Sequence, residues 1–483
     1  MVQGTGSGVG KSFIAAGLLR IFRDMGFDCA PFKAQNMALN SFITKDGGEI
    51  GRAQALQAEA ARVEPTTDMN PILLKATGEA GSQVIMNGRV RGNMTAKEYY
   101  SFRDIAWEAA KAAYDRLSAR YGLIVVEGAG SPAEINLMDK DIVNMRMARY
   151  AGASVLLVGD IDRGGVFASL YGTISFLGEY ADLLKGFVIN KFRGDADILA
   201  PGLRMIEEKT GVRSLGVLPY LKACLSEEDS LCLEGARARI PHGRALRIVV
   251  VRNGFISNFT DFEPFEPEPD VELVYSLRAS DIEGADLLII PGTKNTVKDL
   301  LLLREGGVED SIKRAVAKGV PLVGVCGGYQ MLGLVIRDPY GVESDAGEVR
   351  GMGLLNVETT LHRTKITSQV EALENGNRLD TLRGYEIHMG SSGGDTGIFT
   401  VKRFATGETV MDGSARGSVW GTYIHGIFDN NGLRGRLLNG LRVQKGLPER
   451  APVNYQALKE EGIDLLAGII RENLDMKYIE SLL

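Results

Sequence analysis

Between positions 4 and 12 the chain runs Gly-Thr-Gly-Ser-Gly-Val-Gly-Lys-Ser, and the amphipathic stretch Phe13–Arg23 follows at once. Glycine at every second position lets the main chain turn its N–H groups inward around an anion. The helix that follows adds the positive end of its dipole. Such a loop belongs at the C-terminal edge of a parallel sheet, between a buried strand and its crossover helix. Gly8 and Gly10 are expected to cradle phosphate, Lys11 to reach the β- and γ-phosphates of ATP, and the Ser12 hydroxyl to ligate Mg²⁺. Only Met1-Val2-Gln3 precede Gly4. Either the first strand is that short or residues are missing from this N-terminus; truncation is the preferred expectation, because a central strand of three residues leaves sheet hydrogen bonds unmade.

The rest of the chain repeats the strand–helix alternation. Apolar runs at Leu123–Glu127, Val155–Gly159, Phe187–Asn190 and Leu215–Leu218 alternate with amphipathic stretches at Ala53–Arg62 and Ile105–Arg120. This pattern predicts a doubly wound parallel sheet. A second series follows at Arg247–Val251, Leu287–Pro291 and Leu322–Val325. The polar, Arg-rich stretch between the two series, with Pro241 and Gly243, reads as a linker. The expected domains are 1–232, a linker at 233–245, a second α/β domain over 246–440 and a helical tail over 441–483.

Composition excludes several classes. The net charge of −6 over 483 residues offers no global basic surface for nucleic acid. No apolar run approaches the ~18–20 residues of a membrane span. The four cysteines, at 29, 224, 232 and 326, form no close pair, which fits a reducing, cytoplasmic setting.

Three further features bear on the first domain. Glu127 ends the run Ile124-Val-Val-Glu and could bind a metal ion or its water; a strand-end acid that caps a loop is the alternative. Asn190 ends Val188-Ile-Asn, where its amide could read an adenine edge or simply form a turn. Lys33, Gln35, Asn36, Asn40 and Ser41 crowd into one short segment after a probable second strand. That density of donors suits an oxygen-rich ligand better than a core, although a generic polar loop remains open.

In the second domain, Leu322-Val-Gly-Val-Cys-Gly-Gly-Tyr-Gln-Met-Leu-Gly333 holds one thiol between an apolar run and a small-residue turn into a helix. Glycines at 324, 327 and 328 permit a strained elbow, and the helix N-terminus behind Cys326 favours a thiolate and an oxyanion. The four histidines stand at 242, 362, 388 and 425. His425, after the apolar segment Val419–Ile424 and before Gly426, is the expected general base, with His388 the second choice. A satisfied core histidine is the alternative for either. The turn after Leu287-Leu-Ile-Ile-Pro-Gly292 is expected to complete an oxyanion hole with the Gly327 N–H.

The Cys326 elbow, the Pro291-Gly292-Thr293 turn and the Tyr423-Ile-His-Gly426 segment resemble a class I glutamine amidotransferase domain. That family usually carries Glu two residues after the histidine, where Ile427 stands here. The departure resembles the cobyric and cobyrinic acid amidotransferases, and it leaves the carboxylate partner of His425 open, with Asp429 and Glu386 as candidates. The first half, with its G-x5-G-K-S loop, resembles the same family's P-loop domain, related to dethiobiotin synthetase. Glu49-Ile-Gly-Arg-Ala-Gln54, Asn70-Pro-Ile-Leu-Leu-Lys75 and Gly159-Asp-Ile-Asp-Arg-Gly-Gly165 are similar to its cobyric acid branch, as is Lys33–Phe42.

The likeness covers essentially the whole chain. It implies a glutamine-hydrolysing ligase with ATP, Mg²⁺ and glutamine as an ammonia donor. The implied corrinoid acceptor is adenosylcobyrinic acid a,c-diamide, amidated at its b, d, e and g carboxylates, and nucleic acid and membrane are not implied as partners. A cobyrinic acid a,c-diamide synthase, a MinD-like ATPase switch and a thiol hydrolase with a regulatory nucleotide loop are the competing readings.

Overall fold

A computed structural model describes residues 1–76, 81–221 and 245–483. The chain forms two compact units. The first contains residues 1–38, 49–225 and 457–483; the second contains 39–48 and 226–456. The expected linker lies, except for Ala245, outside the described residues, as do Cys224, Cys232 and His242.

The first unit is built on parallel strands. Val2–Gly4, Val155–Asp160, Leu184–Phe192 and Ser214–Pro219 pair in that order, with Val2 opposite Leu156 and Gly4 opposite Val158. Cys29–Phe32 pairs in parallel with Leu123–Val126, and a bridge from Val2 to Glu127 joins the two sets. Strands covered on both faces must be apolar throughout, which is why these runs lack polar alternation. The loop glycines lead straight into the helix Lys11–Asp24, whose inner face is Ile14, Ala15, Leu18 and Leu19. A further four-stranded sheet runs Gln35–Met37, Ile72–Ala76, Gly81–Met86, Arg89–Thr95.

The expectation of a separate tail over 441–483 is corrected here. Helix Asn431–Gln444 runs through position 440, and residues 457–483 belong to the first unit. Ile463, Leu466, Ala467 and Ile470 of helix Tyr455–Asn473 share a buried cluster with Ile14, Leu18 and Phe22. The contact is close enough to need glycine: a Cβ on Gly17 would stand 2.3 Å from Ile470 Cδ1. The buried Arg20 guanidinium pairs with Glu460 at 2.7 Å and Asp464 at 3.0 Å.

The second unit has a six-stranded sheet in the order Val271–Ser276, Leu246–Val251, Leu287–Ile290, Leu322–Val325, Val419–Thr422, Ser414–Arg416. Only the last strand is antiparallel. The C-terminal ends of its central strands carry Gly292, Cys326 and His425 to one edge. A second sheet is dominated by the long antiparallel pair Val357–Glu374 and Asn377–Gly394. Its partner strand reaches the His425 segment through mutual main-chain bonds, Tyr385 N to His425 O at 3.1 Å and His425 N to Tyr385 O at 2.8 Å.

Candidate active sites

In the first unit, the loop and the neighbouring strand ends form a polar centre around Glu127. Ser12 Oγ donates to Glu127 Oε1 at 2.8 Å, and Lys33 Nζ donates to the same oxygen at 2.9 Å. Gln57 Nε2 donates to Oε2 at 2.6 Å, with Gln54 Nε2 at 3.4 Å. Burial would raise this carboxyl, but the Lys33 charge and these hydrogen bonds hold it below the ordinary glutamate range. Lys11 Nζ donates to Gly6 O at 2.8 Å and Gly130 O at 3.2 Å, which folds it over the loop. Gly10 has φ of 99°, and a Cβ there would stand 2.2 Å from Asn190 Nδ2, so only glycine fits.

A hydroxyl and a carboxylate in contact, beside a phosphate loop, form a donor set that suits Mg²⁺. That ion takes one or two protein oxygens and fills its octahedron with phosphate and water. Among the described residues no group of three or more His, Cys, Asp or Glu could hold a metal by itself.

Asn190, read from sequence as either an adenine reader or a turn former, donates from Nδ2 to Val9 O of the phosphate loop at 2.8 Å. The polar segment after Lys33 divides between the units. Lys33 and Asn36 face Glu127 and Gln54. Asn40 Oδ1 accepts from Phe259 N at 3.2 Å, and Ser41 N donates to Asn258 Oδ1 at 3.0 Å, both inside the second unit.

In the second unit Cys326 sits at the elbow with φ of 53° and ψ of −109°, a strained conformation outside the left-handed helical well. The strain is held by Cys326 N donating to Thr422 O at 2.8 Å and by glycine packing behind it: a Cβ on Gly328 would stand 2.0 Å from Ile290 O. His425 is buried and stacks on Tyr385 with ring centres 5.2 Å apart. Its Nε2 makes no hydrogen bond among the described residues; the Cys326 thiol, which donates to Ile387 O at 3.5 Å, acts on the imidazole together with Asp261. A Cβ on Gly292 would stand 2.8 Å from His425 Cε1, and one on Gly327 3.2 Å from Thr293 N. Glycine at these two positions thus lets two loops close around the thiol and ring.

The carboxylate partner of His425 is neither Asp429 nor Glu386. His425 Nδ1 lies 2.6 Å from Asp261 Oδ2, and Gly426 N donates to Asp261 Oδ1 at 3.0 Å. Burial alone would lower the imidazole, but the charges of Asp261 and Cys326 leave it pushed up to about 10. Glu386 instead accepts from Arg403 Nε at 2.6 Å and Nη2 at 3.1 Å and faces His388 Nε2 at 3.4 Å. His388 stacks on Tyr423 and reaches Gly390 O through Nδ1 at 2.6 Å, which ties it into this second sheet. Asp261 stands 164 residues from His425, so no spacing signal could have found it.

A P-loop nucleotide-binding unit joined to a cysteine–histidine amidotransferase unit defines a glutamine-hydrolysing, amide-forming ligase. Residues 1–230 match the family described as the CobQ/CobB/MinD/ParA nucleotide binding domain, and 247–433 the CobB/CobQ-like glutamine amidotransferase domain. Cobyric acid synthase of Thermodesulfovibrio yellowstonii is 48% identical over 486 residues, covering 99% of this chain and 98% of that protein. The Syntrophobacter fumaroxidans enzyme of that name is 48% identical over 504 residues, covering 100% and 98%. The chain belongs to the cobyric acid synthase family. Among the described residues no helix is long and apolar enough to cross a membrane.

Proposed function

We propose that the chain amidates the b, d, e and g carboxylates of adenosylcobyrinic acid a,c-diamide, a corrinoid, with ATP and glutamine. The observation that carries this reading is the pairing of the Cys326 elbow with His425 in a chain whose other unit folds Lys11 over the phosphate loop and sets Ser12 against Glu127. A carboxylate is a poor acyl donor because oxide is a poor leaving group. Its oxygen attacks the γ-phosphorus of ATP, ADP departs, and ammonia displaces phosphate from the resulting acyl phosphate. Gly8, Gly10 and Lys11 neutralise the phosphates, while Ser12 and Glu127 would hold Mg²⁺. Bound there, Mg²⁺ would supply charge neutralisation to the transferred phosphoryl group.

Ammonia is mostly protonated at neutral pH, so a local source is useful. His425 takes the Cys326 thiol proton, and the sulfur attacks the glutamine carboxamide to give a γ-glutamyl thioester. The same proton leaves with ammonia, and water releases glutamate. The test compares glutamine with ammonium salt as nitrogen source, following ATP-dependent mass gain on the corrinoid. Cys326→Ala should lose glutamine-driven amidation and keep ammonium-driven amidation, whereas Lys11→Ala should lose both. Normal use of glutamine by Cys326→Ala would refute this reading.

A further inference from the structure

We propose that Asp261 is the positioning carboxylate of the glutaminase pair, holding His425 with Nδ1 protonated and Nε2 directed at Cys326. The assignment rests on the glutaminase reading of Cys326 and His425 above. Position 427, two residues after the histidine, is Ile427, a buried core side chain. A carboxylate must therefore arrive from elsewhere, and the turn Phe259–Phe265 delivers it.

Both oxygens of Asp261 are used on the same target. Oδ2 lies 2.6 Å from His425 Nδ1, and Oδ1 accepts the next main-chain N–H, that of Gly426, at 3.0 Å. Two bonds to one dipeptide fix the ring plane as well as the tautomer, which a lone contact to the imidazole would not do. The turn itself is anchored. Asp261 N donates to Asn258 O at 3.0 Å, and Asn258 adopts φ of 53°. Ser41 N donates to the Asn258 amide oxygen, and Asn40 Oδ1 accepts from Phe259 N. Phe262 and Phe265 then pack on Phe428, with ring centres 6.2 and 4.9 Å apart, and so press the turn against the segment that carries His425. In this arrangement the apolar residue at 427 belongs to the packing that brings the substitute carboxylate into place.

The groups that face His425 are Asp261, Cys326 and the stacked Tyr385. Of these, Asp261 supplies the anion on the Nδ1 side. Its removal should therefore do two separable things: let the ring turn, and make the imidazolium easier to deprotonate.

The experiment uses the full chain carrying Asp261→Asn. Glutamine-dependent kcat should fall by about 10²–10⁴-fold, with KM for glutamine within about threefold. Ammonium-driven amidation, made by the nucleotide-binding unit, reports whether the chain has folded. The alkaline limb of glutamine hydrolysis should move to lower pH by more than about one unit, a change that a merely structural carboxylate would not produce. If Asp261→Asn also abolishes ammonium-driven amidation, the smaller Asp261→Ala is assayed in its place with the same readouts. A glutamine-dependent rate within about threefold of wild type, or a slower rate with the alkaline limb unmoved, overturns the assignment. Glutamine use by Cys326→Ala would instead overturn the glutaminase reading on which it rests.

Discussion

Replacing Glu127 with Gln exchanges one oxygen for nitrogen, yet it should remove far more than a metal ligand. The Lys33 ammonium, 2.9 Å away and 5% exposed, would lose its ion pair with this carboxylate. Breaking a buried pair from one side costs several kcal/mol, so either Lys33 moves or the site opens. Ammonium-driven amidation by Glu127→Gln is expected to fall by about 10²-fold or more, while glutamine hydrolysis falls less than tenfold. Parallel assays of corrinoid product and free glutamate check this, and equal losses would count against it.

Glu386 tests a different balance. Burial raises its carboxyl, but the hydrogen bonds from His388 and Arg403 and their charges hold it down at about 2. A carboxylate depressed in the folded state stabilises the fold above its unfolded value, and that contribution is lost as pH falls toward the folded one. Relative to Glu386→Gln, the native chain should be more stable by roughly 3 kcal/mol at pH 7. The gap should close between pH 4.5 and about 2, as read from urea midpoints. The phosphate loop that carries Ser12 and the strand end that carries Glu127 are legible in sequence because each is a local pattern. Asp261 is not, because nothing about Asn-Phe-Thr-Asp marks a residue that pairs 164 positions away.

Strands that are buried on both faces carry their own signal, and Val155–Asp160, Leu246–Val251, Leu287–Ile290 and Leu322–Val325 lie within two residues of the runs read from sequence. The long pair Val357–Glu374 and Asn377–Gly394 gave no such signal. Along Val357–Glu374 buried residues are interleaved with exposed and half-buried ones, and the register shifts between Leu361 and Ile366. Helix Tyr455–Asn473 looked unremarkable for a related reason: its apolar stripe says that something covers it, but not what.

The structure gives it the helix that begins at Lys11 as a partner. Ile470 is fully buried against Gly17. Ile470→Ala should destabilise the first unit by about 2–4 kcal/mol, since a cavity opens where no side chain from Gly17 can relax into it. Chemical denaturation would measure that loss, and a cost below 1 kcal/mol would show that the helix end is not tightly packed.

At the scale of the whole molecule, the chain leaves the first unit for residues 39–48 and again for 226–456, returning at 49 and at 457, so neither unit is one continuous stretch. The short insert is built into its host: Thr367 Oγ1 donates to Gly47 O at 2.6 Å, Gln369 Nε2 donates to Ile43 O at 2.9 Å, and Ile43 joins Tyr385 and Ile387 in an apolar cluster. Cutting the gene where the strand–helix series changes, near residue 230, would therefore not yield two domains.

A fragment of residues 1–230 lacks Ile463, Leu466 and Ile470, each nearly inaccessible in the full chain. Burial of each contributes about 1.5–3 kcal/mol, so the three together are worth roughly 5–9 kcal/mol. A domain has only about 5–15 kcal/mol in total, so the loss takes most of its stability. The fragment should bind the dye ANS and unfold without a sharp transition. Adding residues 455–483, fused by a flexible linker, should suppress dye binding and restore a cooperative curve. A sharp transition in the bare fragment would mean that the helix Lys11–Asp24 is held by the parallel sheet alone. The phosphate loop that opens this chain would then owe nothing to the residues that close it.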